Sequence, residues 1–143
     1  MITRRSFVVG AAAFPTVIHA ASIARSRAVE TSLGHVRGSI ENGVQVFRGI
    51  RYGTTRRFQA PIPPPPLRYV VDALSFGPSA PQNDDKYRPQ SEDCLFLNLW
   101  TPQARRGANL PVMVYFHGGA YSTGSVVDPV SYTHLTLPTK RIV

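Results

Sequence analysis

Gly118 and Gly119 follow a nearly continuous apolar run, Leu110 to Phe116, and it is here that the sequence could do chemistry. Attack on a carbonyl carbon creates a tetrahedral oxyanion. Preorganised backbone N–H groups stabilise that charge well because they need not reorganise during the reaction. Two glycines at the end of a buried strand let the chain turn so that its N–H groups face a cleft. Lacking side chains, they also let a substrate approach closely. A Gly-Gly turn of purely structural use is the other reading. The apolar run supports the first, because it fits a strand buried on both faces, as in a parallel sheet covered by helices.

Other reactive residue types are sparse. No Gly-x-Ser-x-Gly occurs in the 143 residues. The nearest match, Ala120-Tyr121-Ser122-Thr123-Gly124, lies within the glycine loop itself and not on a fresh strand-to-helix turn, which makes Ser122 a poor nucleophile. Glu92 and Asp93 could suggest general acid–base work. Cys94 is the only cysteine, so no intrachain disulfide can form. His19, His35, His117 and His134 share no metal-ligand spacing with other donors, and neither a metal nor a cofactor is expected.

The elements that must position the loop read as β structure. Val36 and Ile40 on one side, with Val44, Val46 and Ile50 on the other, flank Glu41-Asn42-Gly43. Asn-Gly between apolar alternations is a strong hairpin signal, since both residues tolerate positive φ. Arg51 to Pro66 reads as loop, because Pro61 and Pro63 to Pro66 cannot donate ladder hydrogen bonds. A rigid surface loop is expected there, with a polyproline recognition motif as the other reading. Cys94 to Trp100 is a strand candidate stopped by Thr101-Pro102, and no convincing amphipathic helix follows the first 28 residues.

The net charge of +8 raises nucleic acid and anionic membrane as partners. Its distribution argues against both. Arg4, Arg5, Arg25 and Arg27 lie near the start, and Lys140 and Arg141 near the end. Between Val29 and Pro129 there are 10 Lys and Arg against 8 Asp and Glu, with no basic run interleaved with aromatics. Residues 1–28 read as a targeting segment. Thr3-Arg4-Arg5-Ser6-Phe7 precedes a mildly apolar stretch, Val8 to Ile18, and no acidic residue occurs before Glu30. The stretch is too short for a stable membrane span. The paired arginines resemble a bacterial twin-arginine signal, implying the export machinery as a partner and a periplasmic or secreted destination. Cleavage after Ala28 would leave Val29 first, and Ser22-Ile23-Ala24 offers a second site.

Four segments then follow in order: Gly43 to Tyr52, Arg57-Phe58-Gln59-Ala60-Pro61, Ser91 to Asn98, and Pro111 to Tyr121. Together they resemble the opening of a type B carboxylesterase, the cholinesterase-like branch of the α/β-hydrolases. The resemblance implies an α/β fold of which only the N-terminal, β-rich part is present, a hairpin plus the first strands of the central sheet. It implies that Gly118 and Gly119 supply two oxyanion-hole N–H groups, that His117 shapes the loop, and that Arg57 and Glu92 form a structural ion pair. Nucleophile, acid and base follow this region in the family, so none of them is expected within these residues. Cys94 departs from the family, which often pairs this cysteine with one shortly upstream. The segment from Arg51 to Phe58 departs as well, lacking the usual proline-containing loop.

The expected organisation is a leader over residues 1–28, the N-terminal part of a carboxylesterase domain over 29–129, and a non-native tail over 130–143 resembling translated adapter sequence. The implied activity is hydrolysis of small-molecule carboxylic esters through an acyl-serine intermediate. A non-catalytic cholinesterase-like binding module is the alternative.

Overall fold

A computed structural model describes residues 23–128. The paired Arg4 and Arg5 and the segment 130–143 lie outside the described residues.

Among the described residues, six strands form two three-stranded sheets. β1 (Val29–Thr31) pairs antiparallel with β2 (Gly34–Arg37), and β2 pairs parallel with β5 (Val71–Asp72). In the other sheet β4 (Val44–Arg51) lies between β3 (Ser39–Glu41) and β6 (Phe96–Thr101), antiparallel to both. Asn42 and Gly43 make the β3–β4 turn with φ of 50° and 80°, the positive pair that a two-residue hairpin turn needs. Ala73 joins the sheets, its N–H donating to Arg37 O at 2.7 Å and its carbonyl accepting from Arg48 N at 2.8 Å.

The core is small. Val36, Phe47 and Ala73 are buried together, with Val29, Ile50, Leu67 and Ala104 packed around them. A bulge shapes β4: Phe47 faces Leu99 and Ile50 faces Leu97, so Arg48 and Gly49 together oppose Asn98. Gly49 takes φ of 72°, and its N–H donates to Asn98 Oδ1 at 2.9 Å in place of a ladder partner.

Four features differ from the sequence expectations. Gly38 breaks the chain between β2 and β3, so Val36 is buried in one sheet while Ile40 is exposed in the other. The strand expected at Cys94 starts at Phe96. The run Leu110 to Phe116 is not a strand, and Val112, Met113 and Phe116 are each more than four-fifths exposed at 82%, 82% and 86%. A strand buried on both faces needs partners on its edges and cover on its faces. None lies beside this run among the described residues, whose one helical turn is the 3₁₀ segment Asp85–Tyr87. Lastly, Ala24, Arg25 and Ser26 are part of the fold. Ala24 O accepts from Ile40 N at 2.7 Å, Ser26 N donates to Gly38 O at 2.8 Å, and Arg25 bridges to Ser39.

Candidate active-site loop

His117 to Gly124 forms a tight, self-bonded loop after the apolar run. Gly119 O accepts from Ser122 N at 3.0 Å and from Thr123 N at 3.1 Å. His117 Nδ1 donates to Gly118 O at 2.9 Å, which commits the ring to its own loop. Gly119 has φ of 139°, and a Cβ there would lie 1.4 Å from Thr123 O. No other residue fits that position without moving backbone. Ala120 and Tyr121 also hold positive φ, at 50° and 62°. Such strain persists only where surrounding contacts over-determine the conformation.

Those contacts come from residues 79–90. The buried hydroxyls of Ser79 and Ser125 share a hydrogen bond of 2.7 Å. Gln82 Oε1 accepts from Gly124 N at 2.7 Å, and Gln82 Nε2 donates to Gly124 O at 3.1 Å. Buried Tyr87 donates its hydroxyl to Asp128 Oδ2 at 2.6 Å. Between the two segments lies a cleft of about 250 Å³, lined in part by Tyr87, Tyr115, Gly118, Gly119 and Asp128. The N–H groups of Gly118 and Gly119 are given to no protein acceptor among the described residues, although the carbonyls of both are used.

The sequence model of the Carboxylesterase family matches residues 25–143. The chain belongs to the carboxylesterase family. It is 40% identical over 113 residues to para-nitrobenzyl esterase of Bacillus subtilis (strain 168), covering 71% of this chain and 23% of that protein. It is 32% identical over 147 residues to fumonisin B1 esterase of Sphingopyxis macrogoltabida, covering 96% and 26%. A crystal structure of the Geobacillus stearothermophilus carboxylesterase matches with a TM-score of 0.65 at 41% identity, over 73% of this chain and 22% of that one. The chain thus spans about a quarter of the length of the curated relatives it matches. Its two sheets are the strand-rich N-terminal part of the α/β-hydrolase fold of these enzymes. The family match takes in residues 25–28 and 130–143, both outside the 29–129 bounds expected from sequence.

Within this family member the singled-out residues fall in two places. His117, Gly118 and Gly119 share the loop and line the cleft. Arg57 and Glu92 are away from it, paired with each other, each more than half exposed. Hydrogen bonding to Glu92 raises the Arg57 pKa further above its already high value. Beside them, Arg51 grips the Asp93 carboxylate with both guanidinium nitrogens and holds its pKa below the ordinary value. Partial burial, then the nearby Glu92 and Asp93 charges, push the Cys94 thiol upward, away from the reactive thiolate. Ser122 is exposed, and no hydrogen bond links its hydroxyl to a histidine or carboxylate among the described residues. Those residues also hold no cluster of three metal-ligating side chains, and no helix long and apolar enough to cross a membrane.

Sequence reasoning missed Ser79, Gln82, Gln90 and Tyr87, which hold the loop. They sit in a segment rich in proline and short polar residues that reads as plain connection. Their partners are about 40 positions away, at separations of 46, 42 and 41 for Ser79, Gln82 and Tyr87. The one local hint was a pair of glutamines, Gln82 and Gln90, each placed directly after a proline.

Proposed function

We propose that the full-length protein is a serine carboxylesterase that uses the Gly118 and Gly119 N–H groups as oxyanion donors. The observation that carries this reading is that, among the described residues, the Gly118 and Gly119 N–H groups are given to no protein acceptor while the carbonyls of both glycines are held within the loop. A serine hydroxyl attacks the ester carbonyl, and its proton passes to a base. The carbonyl π electrons move onto oxygen, where the two N–H groups stabilise the charge. Collapse expels the alcohol, and water then cleaves the acyl-serine to release the acid. In this reading the nucleophile lies outside residues 1–143, which hold no Gly-x-Ser-x-Gly, and its base and acid are taken to lie outside with it. Small-molecule carboxylic esters are the substrate class, supported by the ester-cleaving names of the relatives.

An exported location is part of the same reading, motivated by Arg4-Arg5 and the acid-free leader. The leader ends before Ala24 in this proposal, not at Ala28, because Ala24, Arg25 and Ser26 all pair with the sheet.

The test is labelling and turnover. Full-length protein should hydrolyse a short-chain aryl ester, and a fluorophosphonate should label one serine lying beyond residue 143. Absence of turnover, or labelling at Ser122, would sink the reading.

A further inference from the structure

The Gln82 amide meets Gly124 as one strand meets another. Its carbonyl oxygen accepts from Gly124 N at 2.7 Å, and its NH₂ donates to Gly124 O at 3.1 Å and to Ala80 O at 3.1 Å. A primary amide carries acceptor and donors side by side, so it can satisfy both polar groups of a single residue. We propose that Gln82 is a positioning residue for ester hydrolysis, fixing the direction of the Gly119 N–H through Gly124. The proposal rests on the oxyanion reading of Gly118 and Gly119.

The transmission is short. Gly124 lies so close to Gly118 that a Cβ on it would stand 2.2 Å from Gly118 O and 2.8 Å from His117 Nδ1. Gly118 O and the Gly119 N–H belong to one peptide unit, and that unit is planar. Whatever fixes the carbonyl therefore fixes the N–H. His117 holds the carbonyl by a hydrogen bond, and Gly124 limits it by contact. Thr123 O stands against Gly119 in the same way, so the loop cannot shift at Gly124 without turning the donor peptide.

Gln82 is itself held. Its N–H donates to Gln90 Oε1 at 3.0 Å, and Gln90 Nε2 donates to Asp84 O at 2.8 Å. The side chain is half-buried and outside the lining of the cleft, so it acts on the loop and not on substrate. An oxyanion donor helps only when aimed where charge develops, and its outright loss costs roughly 10²–10³ in turnover. Loosening its aim should cost on the order of 10–100-fold, within that limit.

The experiment compares Gln82→Glu, Gln82→Met and Gly119→Ala in the full-length protein. Gln82→Glu keeps shape and the acceptor but turns an oxygen toward two carbonyls, while Gln82→Met removes all three bonds. The readouts are kcat and KM for a short-chain aryl ester, affinity for an aryl trifluoromethyl ketone that forms a tetrahedral oxyanion, and melting temperature. Both Gln82 variants should lower kcat with KM nearly unchanged, and ketone affinity should fall by the same factor. Normal kcat and ketone affinity in them, with Gly119→Ala impaired, overturns the positioning role and leaves the oxyanion reading standing. Full activity in all three overturns both. Should Gln82→Met fail to fold, Gln82→Glu still decides: a lower melting temperature with kcat and ketone affinity unchanged also overturns the role.

Discussion

Arg48 holds Glu41 with two parallel hydrogen bonds across the hairpin, Nη1 to Oε1 at 2.5 Å and Nη2 to Oε2 at 2.8 Å. Ser39 adds a third bond to the same carboxylate at 2.7 Å. Hydrogen bonding from Arg48, then from Ser39, lowers the Glu41 pKa from 4.5 to about 2. A depressed folded-state pKa stabilises the fold above the unfolded value, and that stability is lost as pH falls through the folded one. Glu41 should therefore contribute fully above pH about 4.5 and lose its contribution toward pH about 2. With the Glu41 side chain 37% exposed, the contribution discounted for solvent is about 1 kcal/mol. Melting curves of wild type and Glu41→Gln should differ at neutral pH and converge across that window. A gap as large at pH 2.5 as at neutral pH would refute the assignment.

The Arg57–Glu92 pair should matter little to stability. A buried pair would make loss of one partner costly, but here 59% and 57% of the two side chains are exposed. Surface pairs are screened and pay side-chain entropy to hold one geometry. Glu92→Gln in the full-length protein should move the melting temperature by less than about 2 °C. A drop of many degrees would mean that the remainder of the protein buries the pair.

Two glycines with positive φ separate strain from crowding. A Cβ on Gly43 would meet nothing within 4 Å, whereas on Gly49 it would stand 2.5 Å from Ser75 O. Gly43→Ala should cost about 1 kcal/mol, the left-handed penalty alone. Gly49→Ala must also move a backbone carbonyl, for about 2–4 kcal/mol in all. Chemical denaturation of the two variants measures the difference, and equal losses would contradict the bulge geometry.

The amino-terminal boundary has its own test. Ser26 Oγ accepts from the buried Gly38 N–H at 3.0 Å, and Arg25 pairs with Asp72 at 3.1 Å. Ser26→Ala leaves that N–H without a partner, for about 1–3 kcal/mol. Sequencing of the exported protein should find a first residue no later than Ala24, whose carbonyl accepts from Ile40 N. A start at Val29, with Ser26 removed and stability intact, would restore the later boundary.

The hairpin was legible because Asn42-Gly43 encodes its turn locally, and the proline loop because proline removes donors wherever it stands. Val46 stood out in the apolar alternation, whereas Phe47, its neighbour on the opposite face of the strand and just as buried, did not. The run Leu110 to Phe116 was read by composition, but burial is a property of neighbours, and its neighbours are not among the described residues. Gly118 and Gly119 announced their loop. The residues that hold it did not, because a glutamine that clamps a peptide 42 positions away has no periodicity to betray it.

The frame of that loop is built from directional bonds between short polar groups, and Ser79, Gln82 and Gln90 stand behind the cleft instead of lining it. Tyr87, Ser125 and Asp128 serve both, bonding the frame and lining the cleft. Three residues set behind the cleft can thus fix the loop's backbone while presenting nothing of their own to whatever occupies it.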